Sequence, residues 1–173
     1  MLPTLTDLKA ELNITSSNDD LELDDTLDRA IAILSKRVGP LSPTIVTDEI
    51  HTGPGPIVLN KTPVQSITVA TSSAVAVADL DLDAESGVLY GSFGAAPRGV
   101  KVTYVAGYDD VPEDLALAVL ELARHLWKTQ RGGGSVRPSF PGDDQSDAPP
   151  AAGYLLPYRV ESLIEPYRMR VIA

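Results

Sequence analysis

Apolar residues recur at helical spacing in three stretches of this chain, and a region patterned as strands separates the second from the third. The third stretch, from Val111 to Gln130, is the strongest. It predicts a helix of about twenty residues, or about 30 Å, entered from a strand through a tight turn at Gly107. Asp110 and Glu113 have capping-box spacing, Pro112 suits a first turn, and acidic side chains sit at the positive end of the helix dipole. Lys128 and Arg131 complement the other end, and Gly132 to Gly134 stop the helix. On this helix Leu115, Ala118, Val119, Leu122 and Leu126 form one stripe, and Ala116, Leu120, Ala123 and Trp127 a second beside it. Glu121, Arg124, His125 and Lys128 share a narrow polar sector. A surface helix needs an apolar arc of roughly 100°, and this one has about twice that. It must therefore be covered on two sides, the second cover coming from elsewhere in the chain or from another copy. Leaving it wet would cost roughly 1.5–3 kcal/mol per Leu or Trp. Leu117, Leu120 and Trp127 are the residues expected to meet a neighbouring copy.

The other two helical stretches lie at the start. Leu5 to Leu12 is short and amphipathic, with Thr4 and Asp7 at capping-box spacing. The second helix runs from about Asp20 or Leu23 to Val38, with Leu23, Leu27, Ile31, Leu34 and Val38 as its stripe and Gly39-Pro40 as its stop. Together they form a hairpin, and the long helix is the obvious surface for it. Between Thr44 and Val105 six short β-rich runs predict one antiparallel sheet or a small sandwich: Thr44–Ile50, Ile57–Leu59, Val64–Val69, Ala74–Leu82, Gly87–Tyr90 and Val100–Val105. The fold class is thus α+β, a helical bundle with an inserted antiparallel β subdomain and a C-terminal arm. The expected division is a domain over 1–131 (helices 4–12, 20–38 and 111–130, β insert 44–105), an arm over 132–153 and a terminal segment over 154–173.

The arm is rich in Gly, Pro, Ser and Asp and reads as a mobile loop or extended linker. Apolar pattern returns at Tyr154, where Pro157 can open a short helix that Pro166 closes. Tyr154, Leu155, Leu156, Tyr158, Arg159, Leu163, Ile164, Tyr167 and Arg168 give this segment the composition of a docking peptide, because interfaces enrich Tyr and Arg. The plain alternative is that it folds back onto its own domain.

Composition narrows the classes of function. With 14 basic and 24 acidic side chains the formal net charge is −10, the wrong sign for a protein that grips nucleic acid along its surface. An acidic surface suits a solvated protein, or the wall of a passage through which DNA slides without sticking. Cysteine is absent, which excludes disulfides and thiolate metal sites. The first apolar run is interrupted by Asp7, Lys9 and Glu11, unlike a signal peptide, and no apolar run approaches the roughly 20 residues that span a bilayer. The expectation is a soluble protein made in a cytoplasm, without a membrane partner.

No reaction centre emerges from the motifs. Asp79-Leu-Asp-Leu-Asp-Ala-Glu-Ser-Gly resembles a calcium loop, but Ala84 and Tyr90 stand where that loop needs Gly and Glu. Strand alternation explains it better, with Leu80 and Leu82 facing in and the acids facing water. His51 and His125 have no second ligand at metal spacing, and His125 lies one turn after Glu121, as in a surface pair. No Gly-x-Ser-x-Gly elbow occurs, and Gly132-Gly-Gly is not followed by the Lys of a phosphate loop. Catalytic residues, metal ligands and cofactor are accordingly all expected to be none.

The order of elements resembles a known family. Leu5-Thr-Asp-Leu-Lys-Ala-Glu-Leu-Asn-Ile leads into the hairpin, Pro63-Val-Gln-Ser-Ile-Thr-Val lies in the insert, and Val102-Thr-Tyr-Val-Ala-Gly-Tyr-Asp-Asp-Val-Pro-Glu-Asp-Leu enters the long helix. This is similar to the head–tail connector (adaptor) proteins of long-tailed double-stranded DNA bacteriophages. The ending Leu156-Pro-Tyr-Arg-Val-Glu-Ser-Leu-Ile-Glu-Pro-Tyr-Arg looks like that of actinobacteriophage members. The resemblance implies a virion neck protein that forms a ring, commonly of twelve copies, between the portal and the stopper or tail-completion proteins. It implies that the C-terminal arm reaches the portal and that DNA passes through the bore. Two readings of other kinds stay open: a partner-binding module of prophage origin that forms no ring, and a small hydrolase whose site assembles only in three dimensions.

Overall fold

Thr4 starts the first helix as its spacing predicts. In a computed structural model that describes residues 1–52, 56–71, 80–91, 100–130 and 156–168, helix α1 spans Leu5–Leu12. The Thr4 hydroxyl accepts the Asp7 N–H, and the Asp7 carboxylate accepts the Thr4 N–H at 2.8 Å. Two of the first-turn donors and acceptors are thereby satisfied. Asn13 ends the helix in the left-handed conformation, which Asn tolerates better than most residues. Helix α2 covers Asp20–Val38 with Leu23, Leu27, Ala30 and Leu34 buried along one stripe. Ile31, expected in that stripe, is only half-buried because Ala30 takes its centre. Gly39 follows at φ +88°, where a Cβ would lie 2.1 Å from the Thr62 carbonyl oxygen. Only glycine fits there.

The chain forms two compact units. The helical one comprises Pro3–Ile33 and Pro112–Pro166; the β one comprises Met1–Leu2, Leu34–Val111 and Tyr167–Ala173. In the β unit the strands are β1 Thr44–His51, β2 Ile57–Val58, β3 Val64–Thr71, β4 Asp81–Asp83, β5 Val88–Tyr90 and β6 Val100–Ala106. The part of the expected fourth run that falls on 74–79 lies outside the described residues. The strands make two three-stranded antiparallel sheets, ordered β1-β6-β3 and β2-β5-β4. Strands β1 and β3 occupy both edges of β6, and among the described residues β2, β4 and β5 pair with one another. Both sheets feed one core: Val100, Val102, Tyr104 and Ala106 of β6 meet Ile57, Leu59 and Leu89. This is the second of the two arrangements expected, the small sandwich.

The alternation read over Thr44–Ile50 does not survive intact. A bulge between Val46 and Glu49 puts Asp48 at φ 52° and shifts the register. Thr44 and Val46 before the bulge, and Glu49 and His51 after it, all stand opposite β6 residues that are buried. Ile45 and Ile50 fall on the other face and are exposed. Strand β3 has register shifts between Val64 and Ser66 and between Ile67 and Val69. The acidic run behaves as a strand: Leu80 and Leu82 pack against the core while Asp81 and Asp83 are exposed. Asp83 then accepts hydrogen bonds from the Ser86 hydroxyl and N–H in the following turn, which hold its carboxyl below the usual range.

In the helical unit α3 spans Glu113–Gln130 and α4 spans Tyr158–Ile164, followed by a 3-10 turn over Glu165–Tyr167. Helices α1 and α4 both pack on α3. The expected start at Val111 and the Asp110–Glu113 capping box do not form. The first helical bond runs from Ala116 N–H to the Pro112 carbonyl, so Asp110 lies too far upstream to cap, and its carboxylate instead accepts from the Met1 amino group at 2.5 Å.

Candidate assembly surfaces

Helices α1 and α4 cover part of α3. Leu115, Ala118, Val119 and Leu122 of the first stripe are buried, and Leu126, its last member, is half-buried. So are Ala123 and Trp127 of the second, Trp127 at 7% exposure. The cover for much of the second stripe is therefore the chain itself. Leu120 is half-buried and Leu117 is 37% exposed. Of the three residues expected to meet a neighbouring copy, these two stand on the open arc, with Glu113 and Lys128 exposed beside them, and Trp127 does not.

Two members of the polar sector of α3, Glu121 and Arg124, are engaged by other helices. Glu121 is only 8% exposed. Its carboxylate accepts from Arg124 on the same helix and from Arg159 Nη1 of α4 at 3.0 Å. Arg124 Nη1 in turn donates to Glu11 of α1 at 3.2 Å. One buried acid thus holds α1, α3 and α4 together, and a buried carboxylate with two guanidinium partners is far less costly than one without. Its partners are these arginines, not His125. The signal for Arg124 was visible at i,i+3 spacing; Arg159 lies too far along the chain for any periodicity to reveal.

The segment read as a docking peptide is folded on its own chain wherever it is described. Val160 and Ile164, one turn apart, are fully buried, and Leu156 and Leu163 are half-buried. In the β unit Tyr167 meets Tyr108 edge to face, with ring centres 6.5 Å apart and planes at 80°. Tyr158 points away at 87% exposure, and Arg159 and Arg168 are also exposed. Tyr154 and Leu155 lie outside the described residues.

The β unit contains a polar cluster that linear spacing did not show. Glu49 Oε1 pairs with His51 Nε2 at 2.6 Å and accepts the Asn60 N–H at 2.9 Å. Glu49 Oε2 accepts from the Tyr104 hydroxyl at 2.7 Å, and that hydroxyl accepts the Lys61 N–H at 3.1 Å. Tyr104 is fully buried, and burial first, then the Glu49 carboxylate, pushes its phenol well above the ordinary value. A His, an acid and a hydroxyl in one cluster have the composition of a catalytic centre. Here the acid is satisfied on both oxygens and the hydroxyl is sealed from solvent, so the cluster ties β1, β6 and the loop after β2. Among the described residues no three His, Asp or Glu side chains converge as a metal site. No described helix is long and apolar enough to cross a membrane.

The Ala-Gly-Tyr junction owes its residues to folding. Gly107 sits at φ +117°, and a Cβ there would lie 2.3 Å from the Ser42 carbonyl oxygen. Its N–H donates to Pro63 O at 2.8 Å, and its own carbonyl accepts from Gln65 Nε2.

The family model described as head completion protein matches residues 1–170 of this chain. No curated protein sequence matches it. Among solved structures, a chain from the neck of an empty gene transfer agent particle computed with C6 symmetry is 18% identical with a TM-score of 0.63, covering 99% of this chain and 91% of that one. A chain from the virion of a native gene transfer agent particle is 19% identical with a TM-score of 0.63, covering 100% and 94%. A third, from the neck of a native particle computed with C12 symmetry, is 20% identical with a TM-score of 0.59, again covering 100% and 94%.

Proposed function

This chain belongs to the head completion protein family, and from that membership we propose that it is a structural, non-catalytic component of the neck of a phage-like particle. In this reading it is a head-to-tail adaptor. Twelve copies form a ring between the portal and the stopper or tail-completion proteins, and the genome passes through the bore without specific binding. The observation that carries the reading is the agreement of fold, over essentially the whole chain, with proteins of gene transfer agent necks, one of them solved with C12 symmetry. The surfaces support it. Leu117 and Leu120 leave an apolar strip on α3, suited to a neighbour. Tyr158 and Arg159 give the C-terminal segment an exposed aromatic and cation, suited to the portal. The charge of −10 suits a wall that DNA must not adhere to.

Native mass spectrometry of the protein alone and with portal tests the proposal. The expected result is a ring of twelve copies on the portal. A chain that stays monomeric in the presence of portal and leaves the portal ring bare would overturn it.

A further inference from the structure

Helix α4 has seven residues, too few to be stable on its own in water. It exists because Val160 and Ile164 are buried and Arg159 reaches Glu121 on α3. The receiving face is built independently of α4: Glu121 is already held by Arg124, and Arg124 by Glu11 of α1. Donor helix and acceptor face are joined only through residues 131–155, whose contour reaches at most about 85 Å. Packed helices sit about 10 Å apart, so such a link reaches well beyond its own α3.

What the α3 surface offers a neighbour is small. A stable interface buries about 800 Å² per partner, and one partly exposed leucine and one half-buried leucine between Glu113 and Lys128 supply a minor part of that. Among the described residues outside α3 and α4, the exposed large apolar side chains (Met1, Leu21, Ile45, Ile50, Val58 and Tyr90) are spread over the first residue, α2, β1, β2 and β5. Among the described residues, the contact that a neighbour could take over whole is the one α4 already makes, with Val160 and Ile164 fully buried. Exchanging an identical element between copies recreates every contact of the closed subunit at no loss.

We propose that the α4-binding face of α3 is exchangeable: in the isolated chain its own α4 fills it, and in the assembled ring the α4 of a neighbouring copy does. The inference rests on the ring reading above and adds the residues that tie one copy to the next. Tyr158 faces away from α3 in either arrangement and stays available to a further partner.

The test uses the full chain carrying Arg159→Lys, whose ammonium a zero-length carbodiimide couples to the Glu121 carboxylate. Subunits labelled with ¹⁴N and ¹⁵N are mixed, assembled on portal, coupled and digested. Cross-linked peptides of mixed label are expected from the ring, near half of the total, and only single-label pairs from the monomer. Should Arg159→Lys weaken folding, the unaltered chain grown with photo-leucine gives the same reading through cross-links between α3 and α4 peptides, since both helices carry leucines. Rings whose cross-links carry one label only would overturn the exchange and leave the ring standing. Failure to form any ring on portal would overturn both.

Discussion

Tyr104→Phe removes one oxygen from the centre of the β unit and nothing else of consequence. The ring keeps its volume, so the cost is not that of a cavity. It is the hydrogen bond to the Glu49 carboxylate at 2.7 Å and the acceptor of the Lys61 N–H at 3.1 Å. Bonds to charged groups contribute about 1.5–3 kcal/mol, and a buried group left short of its partner loses a similar amount. The expected loss is therefore about 2–3 kcal/mol at pH 7, read as a lower urea midpoint by circular dichroism with an unchanged slope. A second readout separates this bond from general softening. The folded Tyr104 holds its proton more tightly than the unfolded chain, whose tyrosines titrate near 10. Its contribution is therefore complete below about pH 10 and declines by about 1.4 kcal/mol per pH unit above it, until the folded value is passed. Tyr108, also pushed upward chiefly by burial, remains in both proteins, so the difference between them isolates Tyr104. Wild type should lose stability above pH 10 more steeply than Tyr104→Phe. Equal stability at pH 7, or parallel alkaline limbs, would refute the account of the cluster as a structural tie.

Other expectations follow from single positions. Gly107→Ala, forced to φ +117° and against Ser42, should destabilise the fold by at least about 2 kcal/mol, measured by thermal unfolding. Leu117→Glu with Leu120→Glu should leave a folded monomer, since neither side chain is fully buried, yet weaken the ring in native mass spectrometry; a ring of normal stability would remove the Leu117–Leu120 strip from the interface. Trp127→Glu, by contrast, should fail to fold, as its side chain is nine-tenths covered. Tyr158→Ala should change stability by less than about 0.5 kcal/mol and weaken co-sedimentation with portal at least tenfold, and unchanged co-sedimentation would discharge the segment from docking.

Periodicity made the helices legible, and it did so because their buried faces are regular. Thr4, Asp7 and Gly39 marked ends through chemistry confined to a few neighbouring residues. The capping box at Asp110 was misplaced because Pro112 can open a helix at more than one position and the spacing alone does not choose. The exposure of Ile45 and Ile50 was hidden for a different reason: a bulge inserts a residue without leaving a mark in the alternation. The Glu121–Arg159 and Glu49–Tyr104 contacts join residues dozens of positions apart, and only the folded chain brings them together. Glu121, read with His125 as a surface pair, proved to be a seat for α4 for the same reason.

Irregular pairing on both flanks of β6 carries a consequence for life at high local concentration. A straight, evenly spaced border of unpaired amides invites the same border of another molecule, and stacking of that kind has no natural end. Here β1 is kinked at Asp48 and β3 shifts twice, so neither margin presents a regular template. In the ring proposed above, copies gather in a fixed number and then stop, and margins that do not zip serve that end.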